Sequence, residues 1–171
     1  MERGHEEEQG AIGMTENYLT LLAESLKRKL QVMADIQAYN LRQQEIFQAD
    51  QVEIDKFDEY VAEKENLIEK LTSLDNGFER LYEKVAEELK DNRERYAQQI
   101  KELQNLVTEV TDASVAIQAQ EARNKKLIED FFRKERDGIG MNRRTSKAAI
   151  NYYKNMSKSA VVLPQFMDSK K

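Results

Sequence analysis

The sequence predicts an all-α fold: a long antiparallel helical hairpin or three-helix coiled coil, followed by a flexible C-terminal tail. Three observations predict it. Of the 171 residues, 35% are charged and 40% hydrophobic, with six Gly, one Pro and no Cys or Trp. Neither Gly nor Pro occurs from Met14 to Asn76, nor from Phe78 to Asp137. The second of these stretches also keeps one heptad register from end to end, which is the pattern of coiled-coil packing.

Residues 1–13 contain Gly4, Gly10 and Gly13 and read as a flexible leader. Thr15 is a candidate N-cap, because apolar periodicity follows it at once. Met14 and Met1 stand as alternative starts of the chain. Residues 14–137 form the expected helical coiled-coil domain. Its first stripe runs through Leu19, Leu22, Leu26, Met33, Ile36 and Phe47, and Leu30 and Leu41 widen it. Positions 40 and 43 of that stripe are Asn and Gln, which predicts a weakened packing layer. A break or kink is expected near Gln48-Ala49-Asp50, with Asp50 capping the helix that follows. A second stripe then passes through Ile54, Phe57, Val61, Ile68 and Leu71.

Asp75-Asn76-Gly77 is the turn signal of this domain, since Asn-Gly supplies the positive φ that ends a helix. Residues 15–75 are therefore expected to fold back along 78–137. From Phe78, alternating steps of four and three reach Tyr82, Val85, Leu89, Asn92, Tyr96, Gln99, Leu103, Leu106, Val110, Ala113, Ile117, Gln120, Asn124, Leu127 and Phe131. Twelve of these sixteen seam positions are apolar or aromatic. So narrow a stripe does not hold a helix in water by itself and needs a partner helix. The polar seam residues Asn92, Gln99, Gln120 and Asn124 read as register-fixing devices. For Gln120 and Asn124, a weakened patch admitting a partner helix is the alternative.

Gly138-Ile139-Gly140 ends the long helix, and 138–171 is expected to be a flexible, partner-binding segment. Charge divides at about the same place. Residues 1–132 carry 17 Lys and Arg against 29 Asp and Glu, whereas residues 133–171 carry 10 against 3. The basic part holds a cluster of apolar side chains, Tyr152, Tyr153, Met156, Val161, Val162, Leu163 and Phe166, around the single Pro164. These are the candidate partner-binding residues, as a segment that orders on a protein and buries aromatic anchors in doing so. Docking on its own helices is the alternative for that tail.

The composition also excludes function classes. With no Cys and one His, His5, neither a thiolate metal site nor a Ser-His-Asp or H-E-x-x-H constellation can be built. Asp50, Glu53, Asp55, Asp58, Glu59, Glu79, Glu83, Glu87 and Glu88 read as a solvated face, because di-iron bundles need Glu-x-x-His pairs and no calcium loop is present. No apolar run approaches the roughly 20 residues of a membrane span. The first ten residues are polar and acidic, unlike a signal peptide. The expectation is a cytoplasmic protein that is not an enzyme, has no cofactor or metal, and binds protein rather than nucleic acid or membrane. Its oligomeric state stays open, because hairpin and intermolecular coiled coil share the same heptads.

Two runs and the ending resemble the FlgN family of flagellar type III export chaperones. One run is Gln48-Ala49-Asp50-Gln51-Val52-Glu53-Ile54-Asp55 with Glu63-Lys64-Glu65-Asn66-Leu67-Ile68-Glu69-Lys70-Leu71. It is similar to the family's short gap followed by an acidic helix. The other run is Ile117 to Ile128, in which Asn124 precedes Leu127-Ile128 and Gln120 stands where the family has a further Asn. The Tyr-bearing ending, Tyr152 to Met156 and Pro164 to Lys171, resembles clostridial members. The resemblance spans residues 15–171. It implies a cytoplasmic chaperone that binds hook–filament junction subunits, prevents their premature assembly and delivers them to the export apparatus. It also implies that residues 139–171 make the contact. A structural coiled-coil protein, a FliT-like filament-cap chaperone and the stalk protein of the export ATPase are the alternatives.

Overall fold

The computed structural model describes residues 2–137. They form three long helices and no strand: α1 (Glu2–Gln48), α2 (Ile54–Asp91) and α3 (Ala97–Asp137). The chain is all-α, and of the two expected arrangements the three-helix one is adopted. The helices pack as two compact units. One joins the chain up to Leu30 with Ser73–Thr111, and the other joins Gln31–Thr72 with the remainder of α3.

Each helix buries one seam with steps of four and three. In the first unit, Leu19, Leu22 and Leu26 of α1 are buried, as are Phe78, Val85 and Leu89 of α2 and Tyr96, Leu103, Leu106 and Val110 around and within α3. Lys29 bonds Asp75 and the Lys84 ammonium lies 5.6 Å from the Tyr18 ring centre, so α1 and α2 run antiparallel here. In the second unit, Gln43 meets Lys64 and Phe47 meets Phe57, again antiparallel. There α3 is parallel to α1, because Gln37 faces Ala113 and Phe47 faces Phe131.

The break expected near Gln48-Ala49-Asp50 is present: α1 ends at Gln48 and α2 begins at Ile54. Its cap is different. The Glu53 carbonyl accepts the first helical bond, from the Phe57 N–H at 3.2 Å, so Glu53 rather than Asp50 holds the N-cap position. Lys56 pairs with the Glu53 carboxylate at 2.8 Å, and Asp55 adds negative charge at the positive end of the helix dipole.

Two further expectations are overturned. Residues 2–13 are the first turns of α1 rather than a flexible leader. The seam continues upstream of Leu19 through buried Thr15 and half-buried Ile12, and Arg95 reaches Glu8 at 3.6 Å. Thr15 is consequently an interior residue, not a cap. The second correction concerns Asp75-Asn76-Gly77, which makes no turn and lies inside α2. Seam steps run unbroken through Leu71, Asp75 and Phe78, and tertiary burial outweighs the roughly 1 kcal/mol that one Gly costs a helix.

The turn sits instead at residues 92–96, between α2 and α3. Here the Asn92 side-chain amide donates to the Glu88 carbonyl at 3.0 Å, and the Tyr96 N–H donates to the Asn92 carbonyl at 3.3 Å. Tyr96, fully buried, then anchors the start of α3.

A Cβ added at Gly77 meets nothing within 4 Å. Gly77→Ala is therefore expected to raise stability by about 0.5–1 kcal/mol, measured by urea unfolding. A loss of stability would restore the turn at 75–77.

Candidate functional site

The heptad steps place polar side chains on all three seams of the second unit. Asn40 and Gln43 come from α1, Lys64 from α2, and Gln120, Glu121 and Asn124 from α3. All but the half-buried Gln120 are buried, and Lys64 and Gln43 are fully so. The Lys64 ammonium donates to the Glu121 carboxylate at 2.5 Å and to the Gln43 amide oxygen at 3.0 Å. Asn40 donates its amide to Gln120 at 3.2 Å, and Asn124 donates to the Asn40 backbone carbonyl at 2.9 Å. Across the α1–α3 contact, the Gln120 amide also donates to the Gln37 carbonyl at 3.4 Å, and the Gln37 amide donates to the Ala113 carbonyl at 3.5 Å.

Burial drives the Lys64 pKa down from 10.5 to about 8, and the Glu121 charge and hydrogen bond offset only part of that fall. A buried cation of this kind is held by its partner rather than by water. The Asn40 Oδ1 and Gln43 Nε2 atoms are buried with no hydrogen-bond partner among the described residues. A polar layer tied in this way fixes which turn of each helix faces which. The first unit repeats the device once, where buried Lys29 bonds Asp75 at 2.5 Å.

The weakened layer expected at positions 40 and 43 is thus an ionic and amide layer. Gln120 and Asn124 are bonded to α1, which occupies the place a partner helix would need. Asn92 works at the turn, and Gln99 is half-buried in α3. Sequence reasoning missed Lys29, Lys64 and Glu121. Lys64 was legible, since it falls at the step between Val61 and Ile68.

Next to this layer, Phe57, Val61, Ile128 and Phe132 form a buried apolar cluster, with Ile46, Phe47, Ile68 and Phe131 partly buried against it. Phe47 contacts Phe57 edge-on at 5.0 Å and Phe131 at 5.5 Å. The acidic residues of α2 lie mostly in solvent. Asp58 is half-buried, and its carboxyl is pushed up first by burial and then by the charge of Asp55. Among the described residues, no group of three His, Asp or Glu side chains is arranged to hold a metal ion. No described helix is long and apolar enough to cross a membrane.

The residues expected to bind a partner, Tyr152, Tyr153, Met156, Val161, Val162, Leu163 and Phe166, lie outside the described residues, as does all of 138–171. The chain matches no protein-family model, no curated protein and no solved structure.

Proposed function

We propose that this protein is a binding protein rather than a catalyst: a cytoplasmic chaperone of flagellar type III export. It captures hook–filament junction subunits through residues 139–171, keeps them from assembling early and hands them to the export apparatus. One observation carries the binding role. All sixteen seam positions from Phe78 to Phe131 are buried or half-buried by the three helices. The exposed large apolar side chains of the described surface, Met14, Leu21, Leu41 and Val115, are few. The sequence instead concentrates apolar recognition groups in 152–166, beside basic residues. The subunit class rests on the FlgN resemblance alone.

In this mechanism the segment orders on an amphipathic end of the subunit and covers a surface that would otherwise self-assemble. Ordering costs part of the interaction energy and holds the affinity near about 1 μM, which suits release at the export gate.

The test is capture of hook–filament junction proteins and of the filament cap by the full chain. The same capture is tried with Tyr152→Ala/Tyr153→Ala/Phe166→Ala and with a truncation after Gly140, each checked for unchanged helicity. Capture of a junction protein by the full chain and by neither altered form is the expected result. Equal capture by all three moves the site to the helices. Capture of the cap alone favours the FliT-like alternative, and capture of no flagellar subunit leaves a structural coiled coil as the better account.

A further inference from the structure

The end of the second unit, where α1 passes to α2, carries an aromatic face that its own helices cover only in part. Phe57 is fully buried there, but Phe47 and Phe131 are only partly buried against it. Asp50, Glu53 and Asp55 stand exposed just before and within the first turn of α2, and the nearby cation Lys56 pairs with Glu53. On α3, Arg133 pairs with Asp130 at 3.7 Å. This face is aromatic at its centre, Asp50, Glu53 and Asp55 make its α2 edge acidic, and Lys134 and Arg136 stand exposed in the last turn of α3.

The chain itself continues from this place. Asp137, the last residue of α3, lies five residues beyond Phe132, which packs on Phe57. The next residues are Gly138-Ile139-Gly140, then Arg143, Arg144 and Lys147, then Tyr152 and Tyr153. Arg143 comes six residues after Asp137, a reach of up to about 20 Å, or roughly two helix diameters. A tether of that length gives an effective concentration of order mM, so even a weak seat is filled.

We propose that this face is the docking site of the chain's own segment 143–153. The basic side chains of Arg143, Arg144 and Lys147 take the acidic edge of Asp50, Glu53 and Asp55, and Tyr152 and Tyr153 stack against Phe47 and Phe131. The seat belongs to the chain without a partner and does not depend on the export reading. Where that reading also holds, an arriving subunit competes with the seat for the same residues.

The chain has no cysteine, so Ser146→Cys in the full chain carries a single nitroxide label. The expected result is paramagnetic loss of amide signals across 47–58 and 127–132 at low salt. That loss disappears in about 0.5 M salt, as screening of exposed charges requires. It also disappears in the Arg143→Glu/Arg144→Glu/Lys147→Glu variant and weakens with Asp50→Asn/Asp55→Asn. Loss confined to 130–137, or loss unaffected by salt and by the charge reversals, overturns the proposal. So does equal loss when labelled and isotope-enriched chains are different molecules, which would make a second copy the occupant. None of these outcomes changes the capture experiment, where the export reading stands or falls by itself.

Discussion

Replacing Lys64 by alanine is expected to cost about 3–5 kcal/mol of stability, read as a lowered urea midpoint of the helical signal. The ammonium is fully buried and bonds both Glu121 and Gln43. Its removal deprives a buried carboxylate of the cation that pays for its desolvation. The double replacement Lys64→Met/Glu121→Leu is expected to behave differently. It removes both charges from the seam and fills the layer with apolar volume, a change that is neutral or stabilising by about 1–4 kcal/mol in comparable buried pairs. The contrast between single and double variants is the diagnostic. If the single variant lost less than about 1 kcal/mol, water would be reaching the layer and it could not set register.

The same lysine makes stability depend on alkaline pH. Its folded pKa lies at about 8, below the ordinary 10.5, because burial disfavours the charged form. Below pH 8 both folded and unfolded chains hold the proton, and the cost of burying the charge is present in full. Between pH 8 and 10.5 the unfolded chain binds more protons than the folded one, so this group's contribution to stability rises with pH. Over the whole window the rise amounts to about 3 kcal/mol. Other groups titrate in the same range, so the measurement is the difference in unfolding free energy between the parent and Lys64→Met from pH 7 to 11. That difference should shift in favour of the parent as pH rises. A constant difference would show that Lys64 keeps its proton throughout.

Much of the fold was legible because burial follows step length. Positions picked by alternating fours and threes from Phe78 to Phe131 are all at least half-buried, although they lie on two helices rather than one. That is also why the turn was misplaced. A heptad count continues across a short turn without a slip, so the pattern that finds the seam is blind to the reversal at Asn92. Asp75-Asn76-Gly77 carries a local signal of the kind that ends helices, yet Leu71 and Phe78 on either side of it are buried on the same seam. The true turn has no Gly or Pro. Its signal is Asp91-Asn92-Arg93-Glu94-Arg95, a run of polar residues whose Asn92 bonds back to the last turn of α2.

The polar layer was half legible. Asn40, Gln43, Gln120 and Asn124 stood out because amides are uncommon on a seam. Lys64 did not, although it falls on a seam step, because a lysine in a chain that is 35% charged reads as surface, and Glu121 lies one residue off the seam position Gln120. Their burial is a property of the pair, and pairing across helices is decided by tertiary register.

The placement of Asn76-Gly77 inside α2 also bears on how the molecule ages. In an open turn an Asn-Gly amide is attacked by the following backbone nitrogen, and the ring that forms hydrolyses to a mixture of aspartate and isoaspartate. Helical geometry holds that nitrogen away from the side-chain carbonyl. The conversion must then wait for the helix to open locally, and an opening of that kind is far rarer than the motions of a loop. Isoaspartate accumulating at position 76 is therefore a chemical clock for the breathing of α2, built into the chain without any added probe.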